Sequence, residues 1–398
     1  MICVGIDIAK EKSTVCFLKP GGEVLKTPYD IDHSAESIIN LIRDIRSYDE
    51  EVRVVLESTG HYHFPVVVRL LEENIFVCIV NPLRMKRFCS QDIRRAKTDR
   101  IDSIKIATYG LTYWQELKPT KPTNEVYREL RLLSRQYAQL TSMHVKAKIT
   151  MNNLLDNVMP GITNILCDRP PHHKLTDFVL KYSHFDKISA MGEKKFISNY
   201  CSWAKKQGYR KYESQAKEIF ALVQNSIPAL PMTLSATIVV KEVIGVMREI
   251  EASRTTIITQ MQDYAKTLPE YSVIRDMDCV GDTLAPLVIA EIGDIRKFHS
   301  KHALVAYAGI DAPPFQSGKF SGTERHISKR GNSYLRRVCY EIMQSKVRIK
   351  PEGDAVYDFI QKKRSEGKSG KEAMVAGINK FLRIYYGKVS EIYRELEG

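Results

Sequence analysis

Apolar residues along the first eighty positions come in short, β-branched runs broken by turn residues. Ile2–Ile8 (ICVGIDI) reads as a buried strand and Thr14–Leu18 (TVCFL) as a second. The Gly21-Gly22 turn leads into a third strand at Glu23–Lys26. Behind Ser34, a favoured N-cap, Ile38, Ile39, Leu41, Ile42 and Ile45 recur at helical spacing and predict a helix ending near Arg46. Glu51–Glu57 is a fourth strand, Phe64–Leu71 a second helix and Ile75–Val80 a fifth strand. Three consecutive strands, then helix, strand, helix and strand, is the order of an RNase H-like α/β domain. In that arrangement the first and fourth strands are neighbours.

The period changes after Leu117–Asn124, a stretch with two prolines that reads as a domain boundary. Val126, Leu130, Leu133, Tyr137, Leu140, His144, Ala147, Met151 and Leu154 are spaced alternately by four and three, which predicts a long helix with a coiled-coil seam ended by Pro160. His144 is a tolerated polar position in that seam. Residues 161–232 are helical in character, with loops at Arg169-Pro170-Pro171 and Pro228–Pro231, and His172-His173 lies in the first loop. A second long helix runs from Thr233 to about Leu268 on a near-heptad of Val239, Val243, Val246, Ile250, Ile257, Met261, Tyr264 and Leu268. The two helices pair either as an antiparallel hairpin or between subunits, and periodicity leaves both open.

From Tyr271 the chain is mainly helical again. Cys279-Val280-Gly281 before the apolar Leu284–Ile292 predicts a small hairpin and helix of a kind that grips a nucleic-acid backbone through main-chain N–H groups. A short helix at Ala303–Ala308 precedes a polar loop from Pro313 to Gly322. A helix follows at Ser333–Ser345, then a basic linker at Gln361–Lys371 and a last helix from Glu372. The expected organisation is α/β plus α in three domains: 1–117, a coiled-coil and helical insert at 125–268 for oligomerisation, and 271–398.

Charge narrows the partners. The 398 residues carry a net charge of +13 and a sequence pI of about 9.2, which favours a polyanion, nucleic acid before membrane. Arg84, Lys86, Arg87, Arg94, Arg95 and Lys97 crowd one segment, where a phosphate backbone would supply the counter-charge. The eight cysteines are scattered without a Cys-x-x-Cys pair, so neither zinc site nor disulfide framework is expected. No apolar run reaches the length of a membrane span. A strand at the start leaves no signal-peptide pattern, and a cytoplasmic setting is the expectation.

Two sets of residues carry candidate chemistry. Asp7 near the end of the first strand and Glu57 at the end of the fourth would reach one sheet edge. Asp99 and Asp102, three apart on a helix, share a face. Four converging carboxylates call for hard divalent cations, Mg²⁺ or Mn²⁺, which serve phosphodiester cleavage. A Gly-x-Asp strand also occurs in actin-like ATPases, so Asp7 alone decides nothing. His61 and His63 read as loop or supporting residues. The second set is Ser317, followed by Gly318 and the cations Lys319, Arg325, Lys329, Arg330, Arg336 and Arg337, which suit the charge that accumulates on a transferring phosphate. Without a Ser-His-Asp pattern or a Gly-x-Ser-x-Gly elbow, acyl transfer is not expected. On spacing alone Ser317 is a loop serine.

The motifs together resemble the transposases of the insertion-sequence 110 family, bridge-RNA-guided DNA recombinases. The resemblance rests on GIDIAKEK around Asp7, LESTG around Glu57, NPLRMKRF, KTDRIDS around Asp99 and Asp102, then AGI, SGK and KRGNSYLRR. It implies a RuvC-like first domain whose acidic tetrad is Asp7, Glu57, Asp99 and Asp102. It also implies a C-terminal transposase domain whose Ser317 forms a covalent phosphoserine link. A non-coding bridge RNA would pair with target and donor DNA. The coiled coil would assemble dimers and a tetramer, so that one subunit's carboxylates meet another's serine. The sequence departs from the family at Asp278-Cys279-Val280-Gly281, where Pro-Gly-Ile-Gly is common, and in a long middle region whose residues 161–232 carry no shared motif. Two other readings stay open: a metal-dependent junction resolvase in which Ser317 is incidental, and a non-enzymatic nucleic-acid scaffold.

Overall fold

The structure, a computed structural model, describes the chain except residues 59–61, 91–97, 121–123, 170–171, 211, 313–315, 318–319 and 322–325; of 316, 317, 320 and 321 it describes the backbone. The chain divides into two compact units, Met1–Thr123 and Asn124–Gly398.

The first unit is built on strands β1 (Ile2–Ile8), β2 (Lys12–Leu18), β3 (Val24–Asp32), β4 (Val52–Glu57) and β5 (Val77–Val80), with helices α1 (Ala35–Arg46), α2 (Phe64–Glu72), α3 (Pro82–Cys89) and α4 (Asp99–Thr112). The sheet order is β3-β2-β1-β4-β5. β1 to β3 are antiparallel neighbours, and β4 and β5 run parallel to β1 through helical crossovers. This is the RNase H-like arrangement expected from element order. Side chains alternate across the sheet. Ile2, Val4, Ile6, Val54 and Leu56 pack on one face with Leu41 of α1 and Val66 and Leu70 of α2. Cys3, Leu18 and Val55 pack on the other with Met85 of α3 and Ile106, Ala107 and Tyr109 of α4.

Two local expectations change. The third strand continues to Asp32, through Pro28, because β3 is the sheet edge, where a missing N–H costs no ladder bond. Ile39 is exposed and lies off the buried stripe of α1, while Ser34 caps the helix as expected, accepting from Ser37 N at 3.2 Å.

The second unit is helical. A long helix α5 (Glu125–Val158) leads into α6 (Ile162–Ile165), α7 (Lys174–Tyr182), α8 (Phe185–Met191), α9 (Glu193–Lys206) and α10 (Tyr212–Asn225). A second long helix α11 (Leu234–Lys266) is followed by α12 (Glu270–Arg275), α13 (Leu284–Ile292) and α14 (Lys301–Ala308). The short strands β6 (Gln316–Ser317) and β7 (Phe320–Ser321) come next, then α15 (Ser333–Ile349), α16 (Ala355–Ser365) and α17 (Gly370–Glu397).

The long helices pair antiparallel within one chain. Tyr127 and Leu130 share a core with Met261 and Ala265, while Leu155 and Val158 share another with Val240 and Ile244. Midway, Arg254 Nη2 donates to Tyr137 Oη at 3.2 Å. The pair thus joins two cores. One is the helical lobe of α6 to α10, lined by Phe178, Tyr182, Phe196 and Tyr200. The other holds α12 to α17 around Ile289, Leu335, Phe381 and Tyr385.

The seam of α11 slips by one residue from the predicted register. Val240, Ile244 and Met247 are buried, whereas Val239 and Val246 are exposed. The reason is that this half of the helix packs on the lobe as well as on α5. The predicted linker at Gln361–Lys371 is half helix, because Gln361–Ser365 completes α16 and the chain turns only at Gly367, φ 87°. Among the described residues no helix is long and apolar enough to cross a membrane.

Candidate active site

In the parallel β1–β4 ladder Ile6 stands opposite Leu56. Asp7 and Glu57 are the residues that follow these two partners, on the same face as Gly5 and Val55 by the two-residue period. That face is covered by α4, and glycines set how closely. A Cβ on Gly5 would lie 2.3 Å from Ser103 O and 2.4 Å from Ala107 N, and one on Gly110 would lie 2.2 Å from Cys3 Sγ. Ser103 and Ala107 therefore lie over Gly5 and Gly110 over Cys3, so α4 runs antiparallel to β1. From Ser103 back to Asp99 the helix advances about 6 Å. From Gly5 to Asp7 the strand advances about 7 Å in the same direction. Thus the first turn of α4, with exposed Asp99 and half-buried Asp102, comes to the sheet edge that carries half-buried Asp7 and Glu57.

The helix terminus suits the acids. Thr98 caps α4, its Oγ1 accepting from Ile101 N at 3.3 Å, and carboxylates in a first turn favour the helix dipole. One neighbourhood was invisible in the sequence. Thr14, opposite Asp7 in the β1–β2 ladder, donates through Oγ1 to Asp30 Oδ1 at 2.7 Å. Lys12 Nζ donates to Asp30 at 2.8 Å and stands 3.8 Å from Asp99. Hydrogen bonds from Lys12 and Thr14 hold the Asp30 carboxyl below its usual range, and the bond to Asp30 raises the Lys12 pKa. A fifth carboxylate and a cation thus border the edge. Their signal was weak because β3 is read correctly only once its length is known.

Carboxylates without thiol or imidazole, as Asp7, Glu57, Asp99 and Asp102 would offer, are the donor chemistry of a hard divalent cation. Among the described residues no three His, Cys, Asp or Glu side chains stand in metal-holding geometry. His63 is buried against the Phe64 ring, centroids 4.5 Å apart, and His61 lies outside the described residues.

In the second unit Ser317 sits on a hairpin strand, not in an irregular loop. Gln316 pairs with Ser321 and Ser317 with Phe320. The neck of this excursion is zipped. Ser328 N donates to Asp311 O at 2.8 Å, Lys329 N to Gly309 O at 3.0 Å and Asn332 N to Tyr307 O at 2.7 Å. Gly309 is left-handed, φ 67°, and Gly331 packs on its N–H, where a Cβ would lie 2.5 Å away. The AGI and KRGN motifs are therefore the two sides of one closed neck.

Behind it lies a residue that sequence reasoning missed. Glu291 is fully buried. It accepts from Ser134 Oγ at 2.8 Å, Arg135 Nη2 at 2.9 Å and Asn332 Nδ2 at 2.8 Å. Asn332 in turn caps α15, accepting from Tyr334 N and Leu335 N.

The basic candidates separate. Arg84, Lys86 and Arg87 are exposed on α3, with Arg84 3.9 Å from Glu116. Lys329 and Arg330 are exposed beside the neck. Arg336 is half-buried and donates to Ala308 O at 2.8 Å, and Arg337 pairs with Glu341 at 3.0 Å. Arg94, Arg95, Lys97, Lys319 and Arg325 lie outside the described residues. At the expected backbone grip Cys279 is left-handed, φ 64°, and Arg275 is already engaged, donating to Val280 O at 2.6 Å and pairing with Asp282 at 3.0 Å.

An RNase H-like sheet in a strongly basic chain fits a DNA-processing enzyme of the transposase and recombinase class. Comparison with known proteins gives the family. Residues 4–160 match a family model described as an IS110-type DEDD transposase, and residues 271–358 one described as "Transposase IS116/IS110/IS902 family". The chain belongs to the IS110 family of transposases. It is 23% identical to an IS110 insertion-element protein of Streptomyces coelicolor over 74% of this chain and 70% of that one. It is 22% identical to an IS116 insertion-element protein of Streptomyces clavuligerus, covering 94% and 91%. It is 21% identical to a pilin gene-inverting protein of Moraxella lacunata, covering 98% and 95%. The solved structure of Thermus thermophilus RuvC overlays 30% of this chain and all of its own at 14% identity and a TM-score of 0.25. An overlay this slight adds nothing to the fold assignment, which rests on strand order.

Proposed function

We propose that this transposase recombines DNA at specific sites through a covalent phosphoserine intermediate made by Ser317. Asp7, Glu57, Asp99 and Asp102 would hold Mg²⁺ or Mn²⁺ at the phosphate, and a bridge RNA would pair with target and donor DNA. The observation that supports the reading is the parallel β1–β4 register at Ile6 and Leu56, one residue short of Asp7 and Glu57, with α4 packed antiparallel over Gly5. A name that describes gene inversion, borne by a relative aligned over nearly the whole chain, supports site-specific exchange. In the reaction Ser317 Oγ bonds to phosphorus, the bond from phosphorus to the leaving deoxyribose oxygen breaks, and the serine proton passes to that oxygen. A deoxyribose hydroxyl from the partner strand then attacks the phosphoserine and restores both the phosphodiester and the serine, with no external energy source. A bound divalent ion supplies charge neutralisation at the phosphate. The exposed cations Lys329 and Arg330 add to that field. Dimers and a tetramer joined through the long-helix region would let one subunit's carboxylates serve another's serine.

The test compares Ser317→Ala and Asp7→Asn with the parent protein on element-end DNA, in the presence of the element's non-coding RNA. Ser317→Ala should abolish both strand exchange and the denaturation-resistant protein–DNA adduct. Asp7→Asn should slow adduct formation by at least about 10²-fold. Undiminished metal-dependent cleavage by Ser317→Ala would replace this reading with a metal-dependent nuclease. Full recombination without RNA would remove the guide.

A further inference from the structure

The C-terminal helices α16 and α17 run past residue 358, where the second family match ends, and no part of the chemistry above uses them. Between 359 and 388 the chain carries eight Lys and Arg against two carboxylates, Glu366 and Glu372. Both acids are committed: Glu366 pairs with Lys363, and Glu372 accepts from Ser369 N in a capping box.

The fold turns this charge into a groove. α17 buries Gly377, Phe381, Leu382 and Tyr385 and presents Ala376, Asn379, Lys380 and Arg383, beside half-buried Ile384, on the side that lines the groove. With Lys301 of α14 and Phe359 of α16 these line an open cavity of about 590 Å³. Its walls are held firmly. A Cβ on Gly377 would lie 2.6 Å from Ile360 Cγ1, so α16 and α17 are in close contact. The fully buried Lys346 donates to Asp354 Oδ2 at 2.7 Å, and Asp354 caps α16. Lys363 and Lys380 stand 5.3 Å and 5.0 Å from the centre of the Phe359 ring. Among the described residues no carboxylate pairs with Lys301, Lys380 or Arg383.

We infer that this groove is a binding site for a nucleic-acid phosphodiester backbone, engaged by Lys301, Lys380 and Arg383, with Asn379 as a neutral donor and acceptor between them. The chemistry selects a polyanion with spaced charges: three uncompensated cations and an amide line an open channel, beside apolar walls of Phe359, Ala376 and Ile384 that do not close over a small ligand. RNA and DNA share that backbone, and the experiment separates them. The inference takes from the proposed function only that the polyanion is nucleic acid.

The full-length protein and its K301Q/K380Q/R383Q variant are titrated with single-stranded RNA, single-stranded DNA and duplex DNA of one sequence across a salt series. A control variant, R43Q/R46Q/R69Q, removes three cations from α1 and α2, on the sheet face away from α4. Thermal melts confirm that both variants fold; Lys301 and Arg383 are exposed, so their loss leaves the core intact. For the ligand that occupies the groove, the slope of log affinity against log salt should fall in magnitude by about 2 for a single strand or about 3 for a duplex. The control should leave it within experimental error. The ligand whose slope changes identifies the source. Unchanged slopes for all three ligands, or an equal change in the control, overturn the groove. If the parent protein binds none of the three, the proposed function falls with it, whereas a variant that binds like a tight-binding parent removes the groove alone.

Discussion

Replacing Gly5 by alanine tests whether a single methyl group can separate the acidic edge from its helix. The new Cβ would sit 2.3 Å from Ser103 O and 2.4 Å from Ala107 N, both backbone atoms that cannot rotate aside. Reaching ordinary contact at 3.4 Å requires α4 to retreat by about 1 Å. Overpacking against backbone at a wholly buried position should cost about 3 kcal/mol, the upper part of the usual range. In a unit of this size that lowers its melting temperature by about 10 °C. It should also speed amide exchange of the β1 peptides by about 10²-fold where exchange requires opening of the unit. Because Asp99 and Asp102 ride on α4 while Asp7 and Glu57 stay with the sheet, adduct formation should fall by about 10²-fold even below the melting transition. Gly245→Ala provides the contrast. Gly245 is an exposed helical position with nothing within 4 Å of its added Cβ, and the change should stabilise by about 0.5–1 kcal/mol. A Gly5→Ala protein with parental melting, exchange and adduct yield would refute the close α4–β1 contact and the shared edge built on it.

Glu291→Ala should destabilise the second unit by about 3 kcal/mol, since it strands Asn332 and the Arg135 guanidinium around a buried hole. Glu291→Gln should cost about 1–2 kcal/mol, keeping the shape and losing the charge-assisted bond to Arg135. Urea denaturation followed by tryptophan-independent circular dichroism measures both, and equal stability of all three proteins would contradict the network. Lys297 gives a pH dependence. Its ammonium donates to Ile292 O and lies 4.9 Å from the ring centres of Phe298 and Tyr307. Burial first, then Arg131, pulls its pKa down to about 8. The unfolded lysine, near about 10.4, binds more protons between those values, so stability should rise as pH climbs from about 8 toward 10. Lys297→Met should flatten that rise in melting curves taken across the window; an identical slope in the variant would dismiss the assignment.

Strand and helix order in the first unit, the Ser34 cap and the two long helices were legible in the sequence. Each rests on local signals: β-branched runs, heptad spacing, proline breaks and motif strings. The neighbouring of β1 and β4 followed from element order alone. What local patterns could not supply were relations between distant segments. That β3 reaches Asp32 depends on its being an edge strand. That α11 buries Val240 in place of Val239 depends on a lobe lying against it. A basic, glycine-containing stretch reads as linker until α17 is seen packing its Gly377 on Ile360 and making 361–365 the end of a helix.

Glu291 shows the same limit, because a lone acid in an apolar helix carries no signal until Ser134, Arg135 and Asn332 converge on it. The sequence by itself determined the element order of the first unit, the two long helices and the family. Only the tertiary structure decided their company. It set Ile6 opposite Leu56 in register, ran α4 antiparallel over Gly5, and closed the neck between residues 307–311 and 328–332. The physical reason is that strand register, helix direction and buried hydrogen bonds are settled by packing among residues far apart in the chain, where close contact and desolvation outweigh local preference.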